Sequence, residues 1–401
     1  MQRVLFICGN YDPYPSANGV CVLRLQESLL AMGIESDVIC MGEIDDVTQS
    51  KYGAVYHLHV PPLQNGFFRK IVRFFIWPLK DIRVLKGYRK RIQQASAERN
   101  YLCLIGVLRP IEGVLACAAC GNYVIYECDS ISNNGDNTYG IKRLLRWRAD
   151  LLEAKMYRKA KHIFHMVCHS DFYSQKKYEK YRDKSELIDI PQLVDEGIAD
   201  KAANHDEPIQ ILYSGTLSED TRSPVYSIRL IDALAKQFDR RVELNFYSRG
   251  NCEGLLEKAE WETKGVIQKR GYVSLGVLNE AVANADFMLS IGNCLTGTVT
   301  SLPSKVISYM AYGKPIIHID GGRNDVAKAY LEQYPLTLII HPEEDLQKNV
   351  ELVSAFIRNN RGARVPFERV KERFAQNTPE YTVMKLMRVL GEDGENASDE
   401  L

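Results

Sequence analysis

The sequence predicts an α/β protein built from two tandem doubly wound domains, each a parallel sheet covered by helices. Two observations predict it. Short β-rich apolar runs alternate with helical patterns along most of the chain, and one polar, aperiodic stretch, DEGIADKAANHDEP from Asp195 to Pro208, interrupts the alternation. The chain divides accordingly into a first domain over 1–194, a linker over 195–208 and a second domain over 209–362. A helical segment over 363–391 is expected to pack back on the first domain, and the acidic tail over 392–401 to be disordered.

In the first domain VLFIC (Val4 to Cys8) is a short apolar strand, followed by the polar loop GNYDPYPSANG and the helical pattern VCVLRLQESLLAMG, which stops at Gly33. The strand SDVICMG comes next. Further strands are expected at YLCLIGVL, YVIYEC and HIFHMVC, with the small-residue helix EGVLACAACG and the basic helix from Ile141 to Ala160 between them. The second domain repeats the alternation: strands IQILYSG, VELNFYS, VIQKRGYV, FMLSIG and PIIHI, with helices VYSIRLIDALAKQF, EGLLEKAEWETKG, LGVLNEAVANA and SKVISYMAYG. The order β-α-β implies parallel pairing and, in tandem, two sheets whose strand ends face each other across a cleft.

Composition narrows the function classes. The 401 residues are 45% hydrophobic and 25% charged, with 51 Lys+Arg balancing 51 Asp+Glu, which argues against a dedicated nucleic-acid binder. Ten scattered cysteines read as reduced thiols rather than a disulfide framework. The CxxC of Cys117 and Cys120 lies in an apolar helix without a second pair, and His162, His165 and His169 fall on a strand that scatters them over both faces, so no metal site is expected. The final SDEL resembles a retention tail, but no secretory signal precedes it, and no run of 18 apolar residues occurs. The expected location is cytoplasmic, peripheral on the inner face of the cell membrane.

Three loops concentrate possible chemistry. Gly9 and Asn10 follow the first strand, and Asn18 and Gly19 open the first helix, where backbone amides and close approach suit a phosphate or a sugar hydroxyl; the alternative is that these glycines only shape the turn. There is no GxGxxG and no P-loop lysine. In YSGTLSEDTRSP the strand ends at Gly215 and Thr216, and Arg222 lies just ahead of a helix, placed to grip a diphosphate. In the segment from Ser290 to Ile319, Gly292 and Asn293 end a strand, and Pro303, Ser304 and Lys305 open a helix whose free amides aim at an anion.

The run PSKVISYMAYGKPII resembles the donor-site segment of nucleotide-sugar glycosyltransferases of the GT-B fold, with two Rossmann-like domains. It is most like those of bacterial capsule and exopolysaccharide assembly. VLFICGNYDPYPSANGV, the YSGTL turn, RGYVSLGVLNEAVANADFMLSIGN and NTPEYTVMKLMRVL fit in the same order, so the resemblance spans nearly the whole chain. It implies transfer of a sugar, most often UDP-linked, to a glycan or lipid-linked acceptor, with no cofactor or metal required. It implies that Gly215, Thr216, Arg222 and Arg249 lie near the donor, that Tyr272 and Val273 set backbone against the base, and that Ser304 and Lys305 meet phosphate. Asn293 and the loop to Ser301 would face the donor sugar, with Ser308 near the ribose. Retaining relatives carry two glutamates eight positions apart, where this chain has Thr300 and Ser308.

No match to the family's active-site histidine is present, the fifth strand leading instead into YECDSIS. Glu127 and Asp129 are then the candidate base for an inverting transfer, or sugar-binding groups for a retaining one; Asp129 with Ser130 capping a turn is the structural alternative. Two rivals stay open, an inactive nucleotide-sugar-binding scaffold and a nucleotide-sugar epimerase of the same double fold.

The segment from Phe67 to Arg91 holds nine basic residues against Asp81 alone, interleaved with aromatics. Phe67, Phe68, Arg69, Lys70, Arg73, Phe74 and Trp77 are the expected contacts to an anionic membrane, with Pro78 splitting the segment into two helices. A solvated helix face is the plainer alternative.

Overall fold

The computed structural model describes residues 2–11, 15–61, 66–128, 130–131, 144–197, 206–293, 302–323 and 325–396, without the side chains of 67–70 and 392–396. The chain forms two compact units, Met1–Gln192 with Gln376–Leu401, and Leu193–Ala375.

The first unit is built on β1 (Arg3–Asn10), β2 (Glu35–Met41), β3 (Val47–Gln49), β4 (Ala54–Leu58), β5 (Cys103–Leu108), β6 (Tyr123–Glu127), β7 (His162–Met166) and β8 (Ser185–Ile188). They form one sheet in the order β3-β4-β2-β1-β5-β6-β7-β8, parallel except for β3 against β4. Val4 to Cys8 are wholly buried and every residue of β5 and β6 is buried, which is why these strands read as unbroken apolar runs: helices cover both faces of a parallel sheet. The helix Ala17–Ala31 begins at Ser16, whose hydroxyl accepts the Gly19 N–H, and the helix Pro379–Asn396, from the far end of the chain, packs against it.

The second unit holds β9 (Ile209–Leu217), β10 (Val242–Gly250), β11 (Ile267–Lys269), β12 (Phe287–Ile291), β13 (Ile316–Ile319) and β14 (Thr337–Ile340), all parallel, in the order β11-β10-β9-β12-β13-β14. Both units are thus doubly wound, as the sequence predicts. In each, one strand marks the point where the winding reverses. β1 lies between β2 and β5, and β9 between β10 and β12, so a crevice opens at their C-terminal ends, where ligands of such sheets bind.

Pro78 does split the basic segment. A helix runs Gly66–Ile76, and a second, Ile82–Glu98, starts at Asp81, whose carboxylate accepts the Arg83 N–H at 2.9 Å. Trp77 is half-buried against the core of the first unit, whereas Phe74 and Phe75 are exposed. Among the described residues no helix is long and apolar enough to cross a membrane.

Candidate functional site

The C-terminal ends of β9 and β12, with the helix Ser304–Ala311 that follows them, gather most of the residues singled out in the second unit. Gly215 has φ +123°, a conformation L side chains rarely adopt, and the position its Cβ would take is 3.5 Å from the Lys305 Cδ. The missing side chain leaves room for that lysine. Lys305 sits in the first turn of its helix, which begins at Pro303 without any side-chain cap. Tyr309, one turn on, accepts the Ser214 N–H at 2.7 Å and so ties the helix to β9.

Lys305 Nζ lies 3.5 Å from the centroid of the Tyr213 ring, a cation–π contact, and is fully enclosed with no hydrogen-bond partner, although the residue as a whole is only partly buried. Burial first, and the Arg222 guanidinium second, hold its ammonium well below the ordinary lysine pKa. Arg222 is fixed by a two-way backbone bridge with Ser218, 3.2 and 2.9 Å, that closes the loop after β9. Its Nη2 donates to Asn293 Oδ1 at 2.7 Å and its Nη1 to the Thr216 carbonyl at 3.5 Å, while its enclosed Nε has no partner. Neither cation is paired with a carboxylate among the described residues.

The Asn293 backbone packs against Gly321, which belongs to a buried lock. His318 on β13 is fully buried and its Nε2 lies 2.8 Å from Asp325 Oδ2, which also accepts the Gly321 N–H at 2.9 Å; Oδ1 accepts the Ala327 N–H at 3.1 Å. Burial raises the Asp325 carboxyl, but the bond from His318 and the two backbone amides outweigh it and hold the pKa below the usual carboxylate value. A Cβ at Gly292 would collide with Asp325 Oδ2, so only glycine lets the end of β12 seat against the lock. Neither His318 nor Asp325 was anticipated as functional.

At the end of β10, Arg249 stacks its guanidinium 4.8 Å from the centroid of the exposed Tyr272 ring and reaches Thr216 Oγ1 at 3.5 Å. Gly215, Thr216, Arg222, Arg249, Tyr272, Asn293 and Lys305 therefore form one group. Val273 follows Tyr272 in the chain, and Ser304 and Ser308 share the helix of Lys305. Ser301 and Thr300 lie outside the described residues.

In the first unit the end of β1 is tied to the start of the first helix. Asn10 gives its carbonyl to the Ser16 N–H at 3.0 Å, Gly19 packs so close that a Cβ would strike that carbonyl, and Asn18 Nδ2 donates to Leu108 O at 3.1 Å, joining the helix start to the end of β5. Gly9 lies beside Arg109 and Pro110. All four residues are at the winding reversal of the first sheet.

Glu127 ends β6 but does not reach the surface. It is wholly buried, with Oε2 accepting from the Tyr157 hydroxyl and lying 3.0 Å from His165 Nδ1, and Oε1 without a partner. His165 in turn stacks on Tyr173 at 3.6 Å. A second buried acid, Glu153, accepts from Ser130 at 2.9 Å and Tyr178 at 2.7 Å. Burial, then Glu127 and Glu153, push the Tyr157 and Tyr173 hydroxyls far up, so both stay protonated, and Tyr157 donates its proton to Glu127. Asp129 lies outside the described residues. His162 lies 3.9 Å from Glu186, away from this cluster, His169 meets the Tyr173 ring edge-on at 6.5 Å, and Cys117 is buried where Cys120 is exposed.

No protein-family model matches the chain, and no curated protein does. Solved structures do. The α,α-trehalose 6-phosphate synthase of Burkholderia multivorans superimposes with a TM-score of 0.63 at 11% identity, over 99% of this chain and 100% of that one. HepE of Anabaena, solved with UDP-glucose, gives 0.60 at 10% identity over 97% and 100%. The UDP-GlcNAc 2-epimerase of Methanocaldococcus jannaschii gives 0.56 at 10% over 96% and 100%. The likeness is one of fold, and the fold is GT-B: two Rossmann-like domains in one chain.

Proposed function

We propose that the chain is a glycosyltransferase that takes a sugar from a nucleotide-sugar donor, UDP-linked as in the HepE complex, and passes it to a glycan or lipid-linked acceptor. One observation carries the reading: Lys305 and Arg222, two basic side chains without a carboxylate partner among the described residues, converge at the winding reversal of the second sheet beside an uncapped helix start. An anion of at least two charges satisfies all three, and a diphosphate is such an anion. Arg249 and Tyr272 lie next to Thr216, where a base or ribose continues from the phosphates.

In the reaction the acceptor oxygen attacks the anomeric carbon while the bond from that carbon to the phosphate oxygen breaks. The nucleoside diphosphate leaves with the electron pair, and Lys305, Arg222 and the helix amides stabilise its growing charge. The acceptor proton goes to a base if the centre inverts. Glu127 is committed to Tyr157 and His165, which makes Asp129 the better candidate for that base and Glu127 a positioning residue.

Acceptor-dependent release of UDP is the test. Steady turnover with acceptor is expected, and Asp129→Asn should lower kcat on the order of 10²–10⁴-fold with little change in the donor KM. UDP-sugar converted equally with and without acceptor would instead identify an epimerase, and binding without turnover a scaffold. The basic segment supports a peripheral place on an anionic membrane: Arg69→Glu, Lys70→Glu and Arg73→Glu combined are expected to abolish sedimentation with phosphatidylglycerol vesicles while leaving UDP affinity unchanged. Sedimentation equal to that of the unmodified protein would refute that location.

A further inference from the structure

The helix Arg146–Lys159 turns an apolar stripe towards solvent. Trp147 and Leu151, spaced four apart on one face, are 55% and 62% exposed, and Leu144, three positions before Trp147, is 76% exposed. A surface helix ordinarily buries such a stripe. Here it leads into a pocket of about 380 Å³, whose walls are Trp147, Leu151, Ala154 and Tyr157 on one side and Tyr178 and Tyr181 of the 3-10 segment Lys176–Lys184 on the other. The volume falls within the range of small-molecule sites, and the lining is mostly apolar.

Two further observations say what kind of ligand suits it. The first is charge. The helix RWRADLLEAKMYRK and the segment KKYEKYRDK each carry five basic residues against two acidic ones, and one of those acids, Glu153, is buried in its bonds to Ser130 and Tyr178. Lys177 and Lys180 stand at the pocket itself, Lys177 held by Asp150 at 2.9 Å and Lys180 over the Tyr181 ring. The second is continuity. Arg148 Nη1 donates to the carbonyls of Phe74 and Phe75 at 3.4 and 3.2 Å, joining this helix to the end of the helix Gly66–Ile76, where Phe75 is 68% exposed. Exposed aromatics, a cationic rim and an apolar pocket therefore adjoin on one face of the first unit.

We propose that this pocket takes one acyl chain of an anionic membrane lipid, with the headgroup at Lys177 and Lys180. The site is separate from the nucleotide group in the second unit and does not depend on its reading. It deepens the membrane assignment from a charged surface to a specific seat for lipid.

Tryptophan quenching by phosphatidylglycerol vesicles with brominated acyl chains tests it, because bromine quenches only rings in or beside the hydrocarbon. The protein has three tryptophans, Trp77, Trp147 and Trp261. Strong quenching is expected, most of it absent in Trp147→Phe, with both proteins still sedimenting. Leu151→Glu, at an exposed position that leaves the core intact, should lower vesicle partitioning at least tenfold with an unchanged circular dichroism spectrum. The proposal is overturned if Trp147→Phe is quenched as fully as the unmodified protein, or if Leu151→Glu partitions normally. Equal partitioning into neutral phosphatidylcholine would overturn the headgroup assignment. A concentration-dependent dimer that Leu151→Glu dissociates, with no vesicle binding, would show that a second copy of the chain covers this face instead.

Discussion

Lys305→Met is expected to abolish UDP binding and at the same time to raise the melting temperature. The two effects have one cause. Nζ is enclosed against the Tyr213 ring without a hydrogen-bond partner, and an unsatisfied buried polar group costs roughly 1–3 kcal/mol in the ligand-free protein. Methionine fills the volume of the lysine stem and removes that cost, so a gain of about 1–2 kcal/mol is expected, alongside an affinity loss of about 100-fold or more from the missing cation. Calorimetric titration with UDP and thermal unfolding read both. Undiminished UDP affinity would remove Lys305 from the donor site.

The same residue makes binding depend on pH. Burial and Arg222 hold the ammonium pKa down in the free protein, and a bound diphosphate favours the charged form, so UDP binding takes up a proton. Affinity should rise as pH falls through the window between the depressed value and the ordinary lysine value of about 10.4. Stability of the free protein runs the other way. Its folded state binds fewer protons than the unfolded chain in that window, so the Lys305 contribution improves as pH rises, and Lys305→Met should flatten both dependences.

Asp325→Ala is expected to destabilise the second unit by about 3 kcal/mol, since it strips the buried His318 and the Gly321 and Ala327 amides of their shared acceptor. For a unit of this size that is a fall in Tm of roughly 6–12 °C. The bonds from His318 and the amides hold the folded pKa of Asp325 below its unfolded value, so its contribution is present above the ordinary aspartate pKa and is lost as pH falls through the folded one. Denaturant unfolding of both proteins at a pH of about 7 and again below about 4 should show the gap narrowing in acid. A gap of constant size would mean that the carboxylate does not supply it. UDP affinity should also fall, because Gly321, which Asp325 holds, packs against the backbone of Asn293, the partner of Arg222.

Both sheets were legible because their central strands are buried on two faces and so appear as unbroken apolar runs, VLFIC and FMLSI among them. β3, β4, β8 and β14 carry no strand signal of their own. They are three to five residues long, and their strand state comes from the neighbour they pair with rather than from their own pattern. Gly215, Thr216, Arg222 and Lys305 could be picked out because each lies near the end of a strand or the start of a helix, a local property. The lock could not: His318 and Asp325 meet across a turn between a strand and a helix, and no periodicity marks the pair. Tyr213 read as one more strand aromatic, although its ring walls the lysine. Glu127 shows the opposite limit, since its place at a strand end was legible but its direction was decided by Tyr157 and His165, residues 30 and 38 positions away.

The chain leaves the first unit after Gln192 and rejoins it at Gln376, so the second unit is topologically an insertion into the first. A gene fragment encoding Leu193–Ala375 carries one whole unit in a continuous reading frame, whereas the first unit needs both flanks of the gene. A premature stop codon near the 3′ end, sparing every residue of the nucleotide group, would strip the helix Pro379–Asn396 from the helix Ala17–Ala31 and damage the half of the protein encoded at the 5′ end.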